Sequence, residues 1–156
     1  MFPHIYKTQF YFLLDHLEKN YNVKVIQKPF ETDSWYPSLN MIRINKNLKY
    51  RERLFSLLHE AGHMIIDNSL RHKNILCFNK STPHRVKSKK NFVHILNEEI
   101  LAWNYGKDLI KKLCFEIEEE KLEDYITNCI MSYTREGLNA IYGKEINANI
   151  ICSGNV

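Results

Sequence analysis

Residues 54–66 read LFSLLHEAGHMII, an apolar run that contains the pattern His-Glu-x-x-His. On an α-helix the side chains at i and i+4 lie one above the other, so His59 and His63 can place two imidazole nitrogens on one metal ion. Glu60 is offset beside them, where its carboxylate can accept a proton from an attacking water molecule. The stretch therefore predicts the active-site helix of a zinc hydrolase.

The residues around this motif fit a helix that buries one face. An apolar stripe at helical spacing consists of Leu54, Leu58, Ala61 and Ile65. The alternative is an ordinary amphipathic helix with polar residues on its exposed face. Gly62 counts against that alternative, because glycine inside a helix costs up to about 1 kcal/mol relative to alanine. Its place between two ligand candidates indicates that another backbone approaches there.

A catalytic zinc ion needs a third protein ligand and one open position for water. A metzincin would have Gly at position 66 and His at position 69, and Ile66 and Ser69 exclude that class. The best candidate for the third ligand is Glu99, which lies in a second segment whose apolar residues repeat with helical spacing. Glu98 is the alternative ligand.

Two small residues, Ala102 and Gly106, follow Glu99 at a spacing of one helical turn. Small residues so spaced let one helix axis come close to another, and the carboxylate one turn before them could then reach the metal. The alternative for the acidic pair Glu98 and Glu99 is a first helical turn enriched in glutamate, which complements the helix macrodipole.

Two segments together resemble a known family: LLHEAGH at residues 57–63 and E-x-x-A-x-x-x-G-x-x-L at residues 99–109. They are similar to the ImmA/IrrE group of zinc metallopeptidases, which are small gluzincin-like domains of phages, mobile elements and their bacterial hosts. Residues 40–45, NMIRIN, resemble the edge strand that leads into the active-site helix of such domains. The resemblance implies a zincin-like fold, Zn²⁺ as the cofactor and Glu60 as the catalytic base. It implies three metal ligands, namely His59, His63 and Glu99.

The chain departs from this family one turn after the glutamate ligand. Relatives often carry Asn or Asp there, where the side chain can support a metal-binding histidine, whereas this chain has Trp103. Asp67, one turn beyond His63, is a candidate for that supporting role.

The whole chain, residues 1–156, predicts a single α+β domain. The expected order is an N-terminal helix at 8–20, strands at 23–26 and 41–44 on either side of a turn-rich stretch, and the active-site helix at about 50–68. The helix that carries Glu99 follows, and then a further helix at 118–136. The closing residues, about 147–156, have little periodicity and are expected to fray.

A basic loop at about 79–92 lies between the two metal-binding helices and holds much of the net charge of +4. The first interpretation is a solvated connection, because like charges repel one another and bury little apolar surface. The alternative is an electrostatic guide for an acidic substrate or for nucleic acid. Aromatic residues are not interleaved with the basic ones, and no helix-turn-helix or zinc-knuckle pattern is present, so nucleic acid is not the expected partner.

Several classes of protein do not fit the composition. No apolar run approaches the eighteen or so residues that span a bilayer, and the first residues lack the pattern of a signal peptide. Cys77, Cys114, Cys129 and Cys152 are scattered without a Cys-x-x-Cys pair, which suits reduced thiols in the cytoplasm. We expect Cys114 and Cys129 to be buried as small apolar residues.

The function that follows is hydrolysis of peptide bonds in a specific protein or peptide, which the resemblance implies to be a regulatory protein such as a repressor. A donor for the oxyanion is expected, and the candidates by residue type are Tyr105, His94, Tyr133 and Arg135. The alternative function is a binding protein on a zincin scaffold, which sequesters a host protein or nucleic acid and has little turnover. An intact Glu60 counts against it.

Overall fold

The computed structural model describes residues 3–29, 32–72 and 89–143. Four helices and one small sheet make up this part of the chain, which confirms the α+β class. The elements, in chain order, are α1 (Pro3–Tyr21), β1 (Lys24–Lys28), β2 (Ser34–Tyr36), a short 3-10 turn (Pro37–Leu39), β3 (Met41–Asn45), α2 (Tyr50–His72), α3 (Lys89–Lys112) and α4 (Glu119–Tyr142).

The sheet has the strand order β1-β3-β2, with β1 parallel and β2 antiparallel to β3. Ile42 at its centre lies opposite Val25 on one side and Trp35 on the other. The expectation that residues 40–45 form an edge strand is therefore wrong. The reason is β2, a strand inside the stretch expected to be rich in turns. Its three residues are too few to show an alternating pattern in the sequence.

The core lies between α1, the sheet and α2. Its fully buried side chains from these elements include Phe10, Leu13, Leu17, Ile42, Ile44, Leu54, Phe55 and Leu57. Helix α1 begins at Pro3, five residues before the predicted start at Thr8, because its buried face continues back to Tyr6. The Tyr6 hydroxyl donates a hydrogen bond to the Glu118 carboxylate at 3.2 Å, which ties α1 to the start of α4.

Two predictions at the ends of the helices need correction or fall outside the described residues. The last part of the predicted basic loop, residues 89–92, is the first turn of α3, whereas residues 79–88 and the tail at about 147–156 lie outside the described ranges. Cys114 is exposed rather than buried, because α3 ends at Lys112 and Cys114 takes a left-handed backbone conformation with φ 54°. Cys129 on α4 is half-buried.

Helices α2 and α3 touch through their backbones. A Cβ atom on Gly62 would overlap the carbonyl group of Ala102, and a Cβ on Gly106 would lie 3.0 Å from the carbonyl oxygen of Leu58. The approach predicted from Gly62 is confirmed, since only a residue without a side chain fits at that point of α2. This contact places the middle of α3 directly over the middle of α2.

The close contact between α2 and α3 predicts which of two glycine substitutions destabilises the protein more. Gly62→Ala should lower the free energy of unfolding by about 2 kcal/mol or more, because backbone must move to relieve the overlap and the gain in helix propensity is only about 1 kcal/mol. Gly106→Ala should lower the free energy of unfolding by less, because its Cβ would make a tight contact with the Leu58 carbonyl oxygen rather than overlap it. Denaturant unfolding of both variants tests this order. A Gly62→Ala protein as stable as the wild type would contradict the close contact.

Candidate metal centre

Three buried side chains from two helices meet at this contact. His59 and His63 lie one turn apart on α2, and Glu99 lies on α3 one turn before Ala102. The exposed fraction is 7% for each histidine and 2% for Glu99. Each of the three offers one ligand atom, and these atoms all lie within 4.8 Å of one another. The structure therefore brings together the three residues that the sequence selects as metal ligands.

The ligand atoms form a nearly equilateral triangle. The Nε2 atoms of His59 and His63 are 3.2 Å apart, and Oε2 of Glu99 lies 3.0 Å from the first and 3.5 Å from the second. Four ligands at the usual zinc distances of about 2.0–2.2 Å stand roughly 3.3 Å from one another in a tetrahedron. The separations of the three atoms would therefore suit one zinc ion held by all three side chains.

The Glu99 carboxylate has the character of a buried anionic ligand. Among the described residues its Oε2 atom has no hydrogen-bond partner, although it lies within 3.5 Å of both histidine nitrogens. Burial opposes its charged form, but the contacts with His59 and His63 outweigh burial and hold the pKa of Glu99 below its usual range. A buried charge of this kind is costly unless a cation or directed hydrogen bonds offset it. The donor set thus fits a divalent metal.

Glu98 lies on another side of the His63 ring. Its Oε1 atom is 3.4 Å from Nδ1 of His63, and 31% of its side chain is exposed. Burial lowers the pKa of His63, but the contacts with Glu98 and Glu99 outweigh this and raise it to about 9. Of the two adjacent glutamates, Glu99 is thus the one that lies near both Nε2 atoms, whereas Glu98 meets the opposite nitrogen of one histidine.

Trp103 occupies the position where an Asn or Asp was expected from the resemblance. Its indole stacks on the imidazole of His59, with ring centroids 4.4 Å apart and planes inclined by 30°. Trp103 is itself buried and lies edge-on to Tyr125 of α4, whose hydroxyl shares a 2.9 Å hydrogen bond with Ser56. No sequence pattern predicts this stack, because a tryptophan at helical spacing is typical of any core.

Asp67 has a different partner from the one expected. Its carboxylate accepts a hydrogen bond of 2.6 Å from the indole Nε1 of Trp35, and both side chains are buried. Since Trp35 is the middle residue of β2, this bond fastens the end of α2 to the outer strand of the sheet. The contact fixes α2 on the sheet rather than orienting a histidine.

Glu60 and Tyr133 each interact with a residue of the triangle, Glu60 with His63 and Tyr133 with Glu99. Glu60 is 7% exposed. Burial raises the pKa of Tyr133, and the charges of Glu99 and Glu60 together with a hydrogen bond to Glu99 raise it further. Among the oxyanion-donor candidates, Tyr133 is thus in contact with the ligand candidate Glu99. His94 and Arg135 are exposed, and Tyr105 is half-buried.

Comparison with known proteins adds no relative. No family model, no curated protein and no solved structure matches the chain. Within the described ranges, no helix combines the length and the apolar character that crossing a membrane requires.

The triangle predicts which residues control metal content. The wild type should bind one zinc ion per chain, and His59→Ala or His63→Ala should lose it. Glu99→Ala should weaken zinc binding by more than about 100-fold, the upper range for residues that only support a ligand. Elemental analysis after dialysis and competition with a chromophoric chelator measure both effects. His16→Ala, which removes a histidine on α1, is the control, and full zinc occupancy in His63→Ala would refute the site.

Proposed function

We propose that this chain is a zinc-dependent metallo-endopeptidase that hydrolyses peptide bonds in a specific, regulatory protein. The observation that carries the proposal is the buried triangle of two histidines and Glu99, with Glu60 beside it on the same helix. The likeness of residues 57–63 and 99–109 to the ImmA/IrrE zinc metallopeptidases supports the same reaction. Membership in that group is part of the proposal, and a phage or mobile-element regulator is the substrate it suggests.

The proposed reaction assigns metal binding and proton transfer to different residues. His59, His63 and Glu99 would hold the zinc ion, which when bound supplies a Lewis acid that acidifies water and polarises a carbonyl. Glu60 would accept a proton from the attacking water and pass it to the leaving amine.

Tyr133 is the best-placed donor for the oxyanion that forms on the attacked carbonyl. Its hydroxyl contacts Glu99, and burial together with the nearby carboxylates keeps the pKa of Tyr133 above its ordinary value, so the group retains its proton. A neutral hydroxyl at this position can donate a hydrogen bond to developing negative charge. Tyr133 therefore joins the proposed active site as a substrate-facing residue.

A binding protein on the same scaffold is the competing function. It would need the fold, with or without the metal, but a buried carboxylate next to the metal ligands would bring it only a cost in desolvation. The presence of Glu60 at 7% exposure therefore favours turnover.

The scattered cysteines, which form no Cys-x-x-Cys pair, support a cytoplasmic location for the proposed enzyme.

Glu60→Gln separates the two functions. The variant should keep its zinc but cleave about 100-fold to 10,000-fold more slowly, because it retains the ligands and loses the base. The assay is mass spectrometry of candidate regulatory proteins incubated with either protein, with new peptide termini as the readout. Glu52→Gln is the matched control, since it makes the same change two turns earlier on α2. Equal cleavage rates for wild type and Glu60→Gln would remove Glu60 from catalysis, whereas no cleavage by the zinc-loaded wild type would favour the binding protein.

A further inference from the structure

The two ring nitrogens of His63 face two successive glutamates. Nε2 lies 3.5 Å from Oε2 of Glu99, and Nδ1 lies 3.4 Å from Oε1 of Glu98. Neighbouring residues on a helix point about 100° apart, so one glutamate can reach the ligand side of the ring while the other reaches its back. The exposed fractions agree with this division, with Glu99 at 2% and the Glu98 side chain at 31%.

The chemistry of a metal-binding histidine requires a partner at the second nitrogen. A neutral imidazole has one nitrogen that carries hydrogen and one that offers a lone pair. If Nε2 of His63 binds the metal, the hydrogen must be on Nδ1, and a carboxylate that accepts it fixes both the tautomer and the orientation of the ring. The distance of 3.4 Å is slightly longer than an ordinary N–H···O bond. A small rotation of the partly exposed Glu98 side chain would close it.

His59 is held in a different way. Its Nδ1 atom is buried and has no hydrogen-bond partner among the described residues. The ring instead stacks on Trp103 at 4.4 Å, which restricts its rotation by packing. One histidine thus has a carboxylate behind it and the other has an indole beside it, so the loss of Glu98 should affect His63 and leave His59 in place.

We propose that Glu98 is a positioning residue, which accepts a hydrogen bond from Nδ1 of His63 and so presents Nε2 of that residue to the metal. The inference rests on the proposed zinc site, since it gives His63 the role of a ligand. Glu98 itself does not bind the metal. Because Glu98 stands at the rim of the site, its removal should weaken zinc binding by about tenfold, the lower end of the range for such partners.

Two substitutions at one position separate hydrogen bonding from charge. Glu98→Gln and Glu98→Ala both remove the negative charge, but only glutamine keeps an oxygen that can accept the hydrogen bond. We expect zinc affinity, measured by chelator competition, to fall about tenfold in Glu98→Ala and by only about two- to threefold in Glu98→Gln. Asp108→Ala, which removes one exposed carboxylate elsewhere on α3, should bind zinc as the wild type does.

A spectroscopic readout reports the hydrogen on Nδ1 directly. In nitrogen-15 spectra of the zinc-loaded wild type, the Nδ1–H signal of His63 should be resolved because Glu98 slows its exchange with water. The signal should persist in Glu98→Gln and disappear in Glu98→Ala. Thermal unfolding of the metal-free variants should be close to that of the wild type, which would separate a loss of metal from a loss of fold.

The possible results test the proposed zinc site and the role of Glu98 separately. If wild type binds no zinc, the proposed function and the role of Glu98 both fall. If wild type binds zinc and Glu98→Ala binds it equally well with the Nδ1–H signal intact, only the role of Glu98 is overturned. Equal losses in Glu98→Gln and Glu98→Ala would also overturn it, because charge alone would then explain the effect.

Discussion

The backbone contact between α2 and α3 is the constraint on which the rest of the site depends. Two histidines one turn apart on α2 provide only two ligands, and the third must come from another helix. A glutamate side chain is short, so α3 has to lie nearly against α2. Gly62 and Ala102 make that possible, because at their point of contact neither helix has a side chain large enough to keep the two backbones apart.

The same closeness has an electrostatic cost that the surrounding residues reduce. The three ligand candidates and Glu60 are buried next to an apolar core, where isolated charges are strongly disfavoured. His63 and Glu99 lie close enough to stabilise each other's charged forms, and a divalent cation bound by all three side chains would offset the charge of Glu99. Around them the contacts are mostly packing and anchoring, with Trp103 against His59 and the Trp35–Asp67 hydrogen bond fixing α2 to the sheet.

The sequence predicted the parts of this protein that follow from local periodicity. The α+β class, the helical setting of the motif and the backbone approach at Gly62 needed only residue spacing and the absence of a side chain. Strand β2 is not predicted from the sequence, because its three residues are too few to show a periodic pattern. Without β2, the central position of β3 in the sheet could not be predicted either. The start of α1 was set too late because the buried face continues to Tyr6.

The contacts around the ligands needed the fold. The spacing of Ala102 and Gly106 favours Glu99 over Glu98 as the ligand, but the position of Glu98 behind His63 depends on the rotation of α3 against α2. Trp103 could not be told from an ordinary core residue until its ring was seen against His59. The prediction that Asp67 supports a histidine is wrong. Its partner Trp35 lies 32 positions away in the sequence, and only the sheet brings the two side chains together.

A crystal structure of the zinc-soaked protein, with anomalous data collected on both sides of the zinc absorption edge, tests the central claim most directly. The account predicts one anomalous peak at about 2.0–2.2 Å from Nε2 of His59, Nε2 of His63 and a carboxylate oxygen of Glu99. Glu98 should stand behind the His63 ring, away from the metal. A peak coordinated by Glu98 with Glu99 turned away, or zinc bound only elsewhere on the chain, would contradict the account.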